Sequence, residues 1–296
     1  AFLAAAPHLG HYRHPTVHED RVVFVSEGDL FAASLAGGDA VRLTTHPGEE
    51  SDPAFSPDGS RIAFVARRDG VPDVYVMPAT GGAAERLTFD GLPVAVVGWT
   101  PEGEILVRSS RARTLPGAEL SALSGDGGRR RVPLARAADG AYGDGALFFT
   151  RPGRQRSNNE RYRGGTARHL WRWDGDGVEA VRLTDERDES HSPVYHAGRV
   201  YFLSDRDGAM NIWSMRPDGS DRTQHSRFAG INARGLDGHA GRFVVQVGSD
   251  LWRWRVGDDA PALIPIRLVT DLEQRRPRWI DDPWPHLSSA APSPDG

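Results

Sequence analysis

The sequence predicts an all-β protein, specifically a six-bladed β-propeller of four-stranded antiparallel blades. The first observation behind this prediction is a short apolar run that occurs six times along the 296 residues. The second is another apolar run that follows each copy of the first. The third is the spacing: successive first runs begin 40, 42, 42, 54 and 43 residues apart, and propeller blades repeat about every 40–50 residues.

Both sets of runs have the composition of β-strands, because β-branched and aromatic residues alternate with turn-forming segments. No segment shows the sustained periodicity of a helix. The first runs are VVFV (22–25), IAFV (62–65), EILV (104–107), ALFF (146–149), VYFL (200–203) and FVVQ (243–246). The second runs are DLFAASL (29–35), DVYVMPA (73–79), ELSALSG (119–125), HLWRWDG (169–175), NIWSMRP (211–217) and DLWRWRV (250–256).

Turn signals and a third repeated motif complete each predicted blade. The sequence SPDG at 56–59 is typical of a hairpin turn, since proline presets φ and glycine takes the positive-φ position. The third motif, Arg-Leu-Thr, begins at Arg42, Arg86 and Arg182. Weaker copies are predicted at Arg131-Val132-Pro133 and Arg267-Leu268-Val269.

These repeats place the propeller at residues 12–270. The predicted blades are roughly 12–50, 51–92, 93–138, 139–190, 191–230 and 231–270. We expect residues 271–296 to be a linker that leads into a following domain absent from this chain, because SPDG at 293–296 precedes a strand elsewhere in the sequence.

The composition excludes several functional classes. A formal net charge of −4 argues against a general nucleic-acid binder, and no apolar run approaches the roughly 18 residues of a membrane span. Disulfide and thiol chemistry are excluded because there is no cysteine. The sequence also lacks the common nucleophile, zinc and phosphate-binding motifs. We therefore predict no catalytic residue, cofactor or metal within this chain, and neither nucleic acid nor membrane as a partner.

One connection is much longer than its counterparts and rich in arginine. In the fourth blade the first and second runs are separated by about nineteen residues (150–168), whereas in the second blade seven suffice. The segment from Arg151 to Arg168, both included, contains six arginines and a single acid, Glu160. All 36 basic residues of the protein are arginine, so the cluster could be a solvated loop in an arginine-biased sequence. The alternative is an anion site, in which Arg161 and Arg163 precede two glycines that let backbone N–H groups approach a ligand.

Histidines and tryptophans are further candidates for binding sites. His8, His11, His14 and His18 have a spacing that could bind zinc on a helix, but the intervening prolines and glycine favour an extended strand with ordinary histidines. Tryptophans recur at matching blade positions, which predicts packing between blades. Because alternate residues share a face of a strand, Trp171 should lie beside Trp173 and Trp252 beside Trp254.

The chain resembles the N-terminal six-bladed propeller of the tricorn protease family. The resemblance lies in the segments at 13–30, 51–82 and 96–106, in RYRGGTARHLW (161–171) and in QVGSDLWR (246–253). The segment at 51–82 shares its SPDG…YVM pattern with propellers of the Tol system and of the prolyl oligopeptidase type, whereas RYRGGTA within an insertion of blade four is much more specific.

This resemblance implies a non-catalytic part of a large cytoplasmic serine peptidase that trims oligopeptides. The serine and histidine of that family lie in C-terminal domains, and its propellers act as channels and filters for peptides. Basic residues of a propeller loop hold the substrate's C-terminal carboxylate, and the candidates here are Arg161 and Arg163, with Arg156 behind them. The implied partners are oligopeptides, the C-terminal domains of the same polypeptide and further copies in a homo-oligomer.

Two alternatives follow from the same residues. A stand-alone interaction propeller, resembling the Tol-system component, would bind a protein partner on one face and would have no downstream catalytic domain. An enzyme with its site in the central channel, like lactonase-type propellers, would need bound metal.

Overall fold

The computed structural model describes residues 11–109, 118–151, 167–175, 177–185, 188–270 and 279–284, together with residues 287, 289–291 and 293. Within these residues the regular structure consists of β-strands arranged in six sheets, with no α-helix. Each sheet is built from four sequential antiparallel strands, and one of the six gains a fifth strand near the end of the described chain. The predicted six-bladed β-propeller is confirmed.

Four sets of strands build the six blades from the axis outward. The innermost strands are β1 (Arg13–His18), β5 (Glu50–Phe55), β9 (Val94–Trp99), β13 (Gly140–Gly143), β17 (Ser190–His196) and β21 (Ala233–His239). The second strands are β2 (Arg21–Ser26), β6 (Arg61–Ala66), β10 (Ile105–Ser109), β14 (Ala146–Arg151), β18 (Arg199–Ser204) and β22 (Arg242–Val247). The third strands are β3 (Asp29–Ser34), β7 (Asp73–Pro78), β11 (Glu119–Leu123), β15 (His169–Trp173), β19 (Asn211–Met215) and β23 (Asp250–Arg255). The outer strands are β4 (Gly37–Arg42), β8 (Glu85–Arg86), β12 (Arg129–Arg131), β16 (Val181–Arg182), β20 (Thr223–Gln224) and β24 (Ala262–Leu263).

The second and third strands are buried on both faces because each blade packs between two neighbours. In β2, Val23 and Val25 pack against Ile62 and Phe64 of the second blade. The alternate residues Val22 and Phe24 pack against residues of the sixth blade, such as Val244. A continuous apolar run is therefore the expected pattern, since each face of the sheet contacts a different neighbour.

The Arg-Leu-Thr motif anchors the third strand of a blade to its outer strand. In blade two, Arg86 forms an ion pair with Asp73 at 2.6 Å. The hydroxyl of Thr88 donates to Asp73 Oδ1 at 2.8 Å and accepts the Val74 amide at 3.0 Å. In blade one Arg42 likewise binds Asp29, and the Thr44 hydroxyl accepts the Leu30 amide. The motif thus satisfies a buried carboxylate and a backbone amide that would otherwise lack partners.

Glu50 extends this network between the first two blades. Its side chain accepts hydrogen bonds from Thr44 and Arg68, and the residue is only 2% exposed. Burial raises the pKa of Glu50 to about 7; the nearby Asp29 charge adds to this, and the bonds from Thr44 and Arg68 oppose it. Ionisation of Glu50 therefore costs more free energy in the folded protein than in the unfolded chain.

The ring closes without exchanging a strand between the first and last blades. Instead, an additional strand β25 (Ile266–Leu268) pairs in parallel with β4 at the outer edge of blade one. The close approach requires glycine at position 37, where φ is +93° and a Cβ atom would lie 2.6 Å from Pro265. The prediction that Arg267-Leu268-Val269 continues blade six is wrong. Blade six already ends with β24, and β25 has crossed to its neighbour.

Near the axis, the same two blades are joined by a carboxylate. Asp237 of β21 accepts hydrogen bonds from the Thr16 hydroxyl at 2.7 Å and from the Val17 amide at 2.8 Å, both on β1. Burial raises the pKa of Asp237 despite these bonds. The outer closure has instead an exposed ion pair between Arg267 and Asp39. The ring is therefore closed by buried hydrogen bonds near the axis, and by strand pairing with an exposed ion pair at the outer edge.

We expect Asp237→Ala to lower the free energy of unfolding by about 1–3 kcal/mol, because it leaves the Val17 amide without its acceptor. Asp237→Asn keeps an acceptor and should cost less. Arg267→Ala should change stability little, since exposed ion pairs are weak. Urea unfolding at pH 7 measures all three variants. A larger loss for Arg267→Ala than for Asp237→Ala would show that the outer strand is the main closure.

Glu50 should make stability depend on pH. Because its pKa is higher in the folded protein than the usual 4.5, the folded state binds the proton more tightly and stability falls as pH rises from about 4.5 to about 7. Relative to Glu50→Gln, the wild-type protein should lose up to about 3 kcal/mol between pH 4.5 and pH 8. Comparing the two proteins at each pH removes the contribution of shared groups such as His225, whose pKa burial lowers to about 4. Glu85→Gln, at an exposed position, is the matched control; a pH-independent difference for Glu50→Gln would contradict the prediction.

Candidate functional site: the central cavity and the insertion face

The long arginine-rich connection marks one face of the propeller. Strands alternate in direction within each blade, so every connection from a second to a third strand emerges on the same face. We call this the insertion face, since β14 ends there at Arg151 and β15 begins there at His169. The innermost strands also begin on this face. The attachment points of the insertion and one end of the central axis therefore lie on the same side of the molecule.

A cavity of about 420 Å³ lies on the axis, and we call it the central cavity. All six innermost strands contribute to its wall. Its volume falls within the range of about 300–1,000 Å³ that is usual for ligand sites. Arginine makes up all 36 basic residues of the chain, yet no described residue lining the cavity is an arginine.

β-Bulges turn polar side chains towards the cavity near the insertion face. His14, Asp52 and Ser192 occupy equivalent places in β1, β5 and β17, and each has a positive φ next to a proline. His14 Nδ1 lies 2.8 Å from Asp52 Oδ1. Burial would raise the pKa of Asp52, but the hydrogen bond and charge of His14, with the charge of Arg108, outweigh it and hold this pKa below its usual value.

Sequence reasoning missed this ring of polar residues. The innermost strands are less apolar than the second and third strands, because one side of them faces the cavity. The signal that was available is a repeated X-Pro pair, His14-Pro15, Asp52-Pro53 and Ser192-Pro193, at the start of three innermost strands.

Two histidines meet at the opposite end of the central cavity. The rings of His18 and His239 are stacked with centroids 3.9 Å apart, and His239 Nδ1 accepts the Glu19 amide at 3.1 Å. Burial and the neighbouring His18 lower the pKa of His239. The imidazoles are therefore part of the contact between blades one and six.

The histidine series does not assemble into a metal centre in the described part of the chain. His14 and His18 lie on the extended strand β1, as predicted, and face Asp52 and His239 respectively. His8 lies outside the described residues. No group of three or more histidine, aspartate or glutamate side chains within the described ranges is arranged to hold a metal ion.

The candidate anion-binding arginines Arg156, Arg161 and Arg163 lie outside the described residues. The two arginines that flank the insertion are described, and they differ. Arg168 forms an ion pair with Glu189 of the next blade, so it has a structural partner. Arg151 instead lies over the ring of Trp171, with its guanidinium carbon 4.1 Å from the ring centroid.

The other basic cluster of the sequence is neutralised. Arg129 pairs with Asp90, Arg130 with Glu104 and Arg131 with Glu119. These three residues form β12, and their partners lie on adjacent strands or connections. This cluster stabilises blade three and offers no unpaired arginine for a ligand.

The tryptophans pack between blades, as predicted. Trp171 and Trp173 lie against the apolar cluster that joins the third and fourth blades. Trp252 and Trp254 lie together in the cluster that joins the fifth and sixth. Their positions rule out an exposed stacking platform at these four residues.

No helix in the described part of the chain has the length and hydrophobicity needed to cross a lipid bilayer. This finding agrees with the absence of a long apolar run in the sequence.

Comparison with known proteins places the chain in a family. Residues 10–260 match the family model described as the tricorn protease N-terminal beta propeller domain. Tricorn protease homolog 1 of Streptomyces coelicolor is 36% identical over 270 residues, which cover 89% of this chain and 25% of the homolog. The chain thus spans about a quarter of the length of the curated relatives it matches.

Two further similarities separate the tricorn and Tol alternatives. The crystal structure of the tricorn protease superposes with a TM-score of 0.81 at 24% identity, covering 89% of this chain and 27% of that one; at this identity it supports the fold alone. The Tol-Pal system protein TolB of Desulfosudis oleivorans is 39% identical, but over only 29% of this chain and 20% of its own length. A family model over residues 10–260 and a relative 36% identical over 89% of this chain both identify tricorn proteins, and the chain therefore belongs to the tricorn protease family, in which it matches the N-terminal β-propeller domain.

Proposed function

We propose that this propeller is a non-catalytic domain of a tricorn-like serine peptidase and acts as a channel and filter for oligopeptides. The observation that carries the proposal is the central cavity, which is lined by all six innermost strands and has the volume of a ligand site. Its polar wall can hydrogen-bond to a peptide backbone, and its diameter is set by rigid strands.

The arginine-rich insertion adds a selective element to this proposal. Arg161 and Arg163, with Arg156, hold the C-terminal carboxylate of a peptide, because guanidinium groups bind carboxylates in a bidentate manner. The support is positional, since the strands that flank residues 152–166 end on the face where the innermost strands begin. The acids Asp52 and Asp139 at the cavity wall would repel a free carboxylate, so an anion site belongs outside the cavity.

The location of the catalytic residues, the oligomeric state and the localisation are proposed from membership of the family. The catalytic serine and histidine belong to C-terminal domains reached through residues 271–296, and the full-length protein is a cytoplasmic homo-oligomer. A stand-alone interaction propeller remains the second candidate. It has less support because the sequence similarity to the TolB protein of Desulfosudis oleivorans covers less than a third of the chain.

We expect Arg161→Ala combined with Arg163→Ala, in the full-length peptidase, to slow the cleavage of peptides with a free C-terminal carboxylate about tenfold or more, because a charge-assisted hydrogen bond contributes about 1.5–3 kcal/mol. Peptides with an amidated C-terminus should be cleaved as by the wild-type protein. The measurement is kcat/KM for matched acid and amide substrates.

Arg130→Ala is a suitable control, since Arg130 is already paired with Glu104. An equal loss for acid and amide substrates would contradict carboxylate anchoring. Cleavage of peptides by the 296-residue chain alone would contradict a non-catalytic role.

A further inference from the structure

The permanently charged groups on the wall of the central cavity are all acids. Asp52, Asp139 and Asp237 contribute carboxyl groups to it. No described residue of the wall is an arginine, although every basic residue of the chain is one. The remaining groups of the wall that take up a proton near neutral pH are three histidines. The cavity therefore differs in charge from the arginine-rich connection outside it.

The first of these acids is held in its ionised form. The hydrogen bond and charge of His14 keep the pKa of Asp52 below its usual value in spite of burial. The Asp52 side chain is still 26% exposed. Its negative charge is thus present at neutral pH and acts on whatever occupies the cavity.

The second acid is only partly compensated. One nitrogen of Arg108 lies 3.3 Å from Asp139 Oδ1, and Arg108 is on the second strand β10, outside the cavity wall. The Asp139 side chain is 29% exposed. Asp237 differs from both, since its carboxylate is engaged by β1 and closes the ring. Asp52 and Asp139 are therefore the wall acids that are accessible to a guest.

The rest of the wall strengthens the effect of these charges. It consists of strand backbone and of uncharged side chains such as Val97 and Trp99. A cleft with charges of one sign and poorly polarisable walls focuses the electric field and concentrates groups of the opposite charge. Arg13 and Arg234 lie on β1 and β21 close to the insertion face, but they are outside the wall.

We propose that Asp52 and Asp139 make the central cavity selective for the cationic groups of a peptide and that they exclude acidic segments. The groups accepted are the side chains of lysine and arginine or a free N-terminal ammonium. The inference rests on the proposed function, because it requires that peptides enter the cavity. The C-terminal carboxylate stays with the insertion outside, so the two elements bind opposite charges at different places.

The test uses the 296-residue chain and four pentapeptides of alanine with an uncharged fluorophore on a C-terminal amide. Three are acetylated and have lysine, glutamine or glutamate at the centre; the fourth has glutamine and a free N-terminus. Because each C-terminus is blocked, carboxylate anchoring does not contribute. Fluorescence anisotropy at low salt should show the lysine peptide bound at least about tenfold more tightly than the glutamate peptide. Tighter binding of the fourth peptide than of its acetylated counterpart identifies the N-terminal ammonium as a second accepted group.

Asparagine substitutions remove the charges while keeping the shape of the wall. Asp52→Asn combined with Asp139→Asn should lower the ratio of lysine to glutamate affinity about tenfold, to near one. Asp139→Asn alone leaves the contact between His14 and Asp52 intact and should lower the ratio about threefold. Asp69→Asn is the matched control, because Asp69 is 68% exposed on the insertion face and lies outside the wall. Its ratio should equal that of the wild-type chain.

A further variant shows whether the peptides bind inside the cavity. Gly98 of β9 lines the wall, and a Cβ atom there would have only the Gly140 carbonyl oxygen within 4 Å, at 3.9 Å. Gly98→Phe therefore places a ring in the cavity without displacing the backbone. It should abolish binding of the lysine peptide, whereas binding to an outer surface would be unaffected.

The inference and the proposed function fail in different ways. A wild-type ratio near one, or a ratio that the two asparagine substitutions leave unchanged, overturns the charge selectivity. If Gly98→Phe still abolishes binding in that case, peptides enter the cavity and the proposed function stands. If Gly98→Phe binds as the wild-type chain does, or if no peptide binds measurably to the wild-type chain, both the selectivity and the channel role are wrong.

Discussion

Burial of both faces of six small sheets is the constraint on which this structure depends. In β2, Val23 and Val25 contact one neighbouring blade while Val22 and Phe24 contact the other. A single blade would expose both apolar faces, so each blade is stable only between two others. The ring must therefore close, and polar contacts add to the apolar packing between blades one and six. Asp237 binds β1 near the axis, and β25 pairs with β4 at the rim.

Arginine has an unusual share of the polar interactions because the chain has no lysine. Several of these guanidinium groups neutralise acids within a blade, as Arg42 does for Asp29 and Arg86 for Asp73. A cluster of arginines in the sequence is thus weak evidence for a ligand, and β12 shows why. Arg151 differs from these paired arginines, because its Nε atom is buried and has no hydrogen-bond partner. Departures from local consistency are expected at functional positions.

The two faces of the propeller differ in what they offer a ligand. The insertion face carries the bulged residues His14 and Asp52. It also carries both ends of the arginine-rich connection, whose arginines are proposed to hold the carboxylate of a peptide. The opposite face carries the stacked histidines His18 and His239, which are engaged in contacts between blades. Asp52, Asp139 and Asp237 line the cavity, and no described residue of its wall is an arginine. A peptide held by its carboxylate at the rim would thus direct its uncharged or cationic part towards the axis.

The amino-acid sequence was enough to predict the number of blades, the second and third strands and the place of the insertion, because continuous apolar runs report burial on two faces at a regular period. It also predicted that Trp171 and Trp173 share a face. The folded structure was needed to show how the ring closes, which strand Arg267 and Leu268 join, and which arginines are paired. Ring closure depends on contacts between residues more than two hundred positions apart, such as Thr16 with Asp237 and Asp39 with Arg267. Arginine pairing depends on which acids the strands and connections bring close, as Asp90 is to Arg129. A local pattern in a sequence records the period of a strand and the chemistry of a turn, but it does not record the partner of a charge.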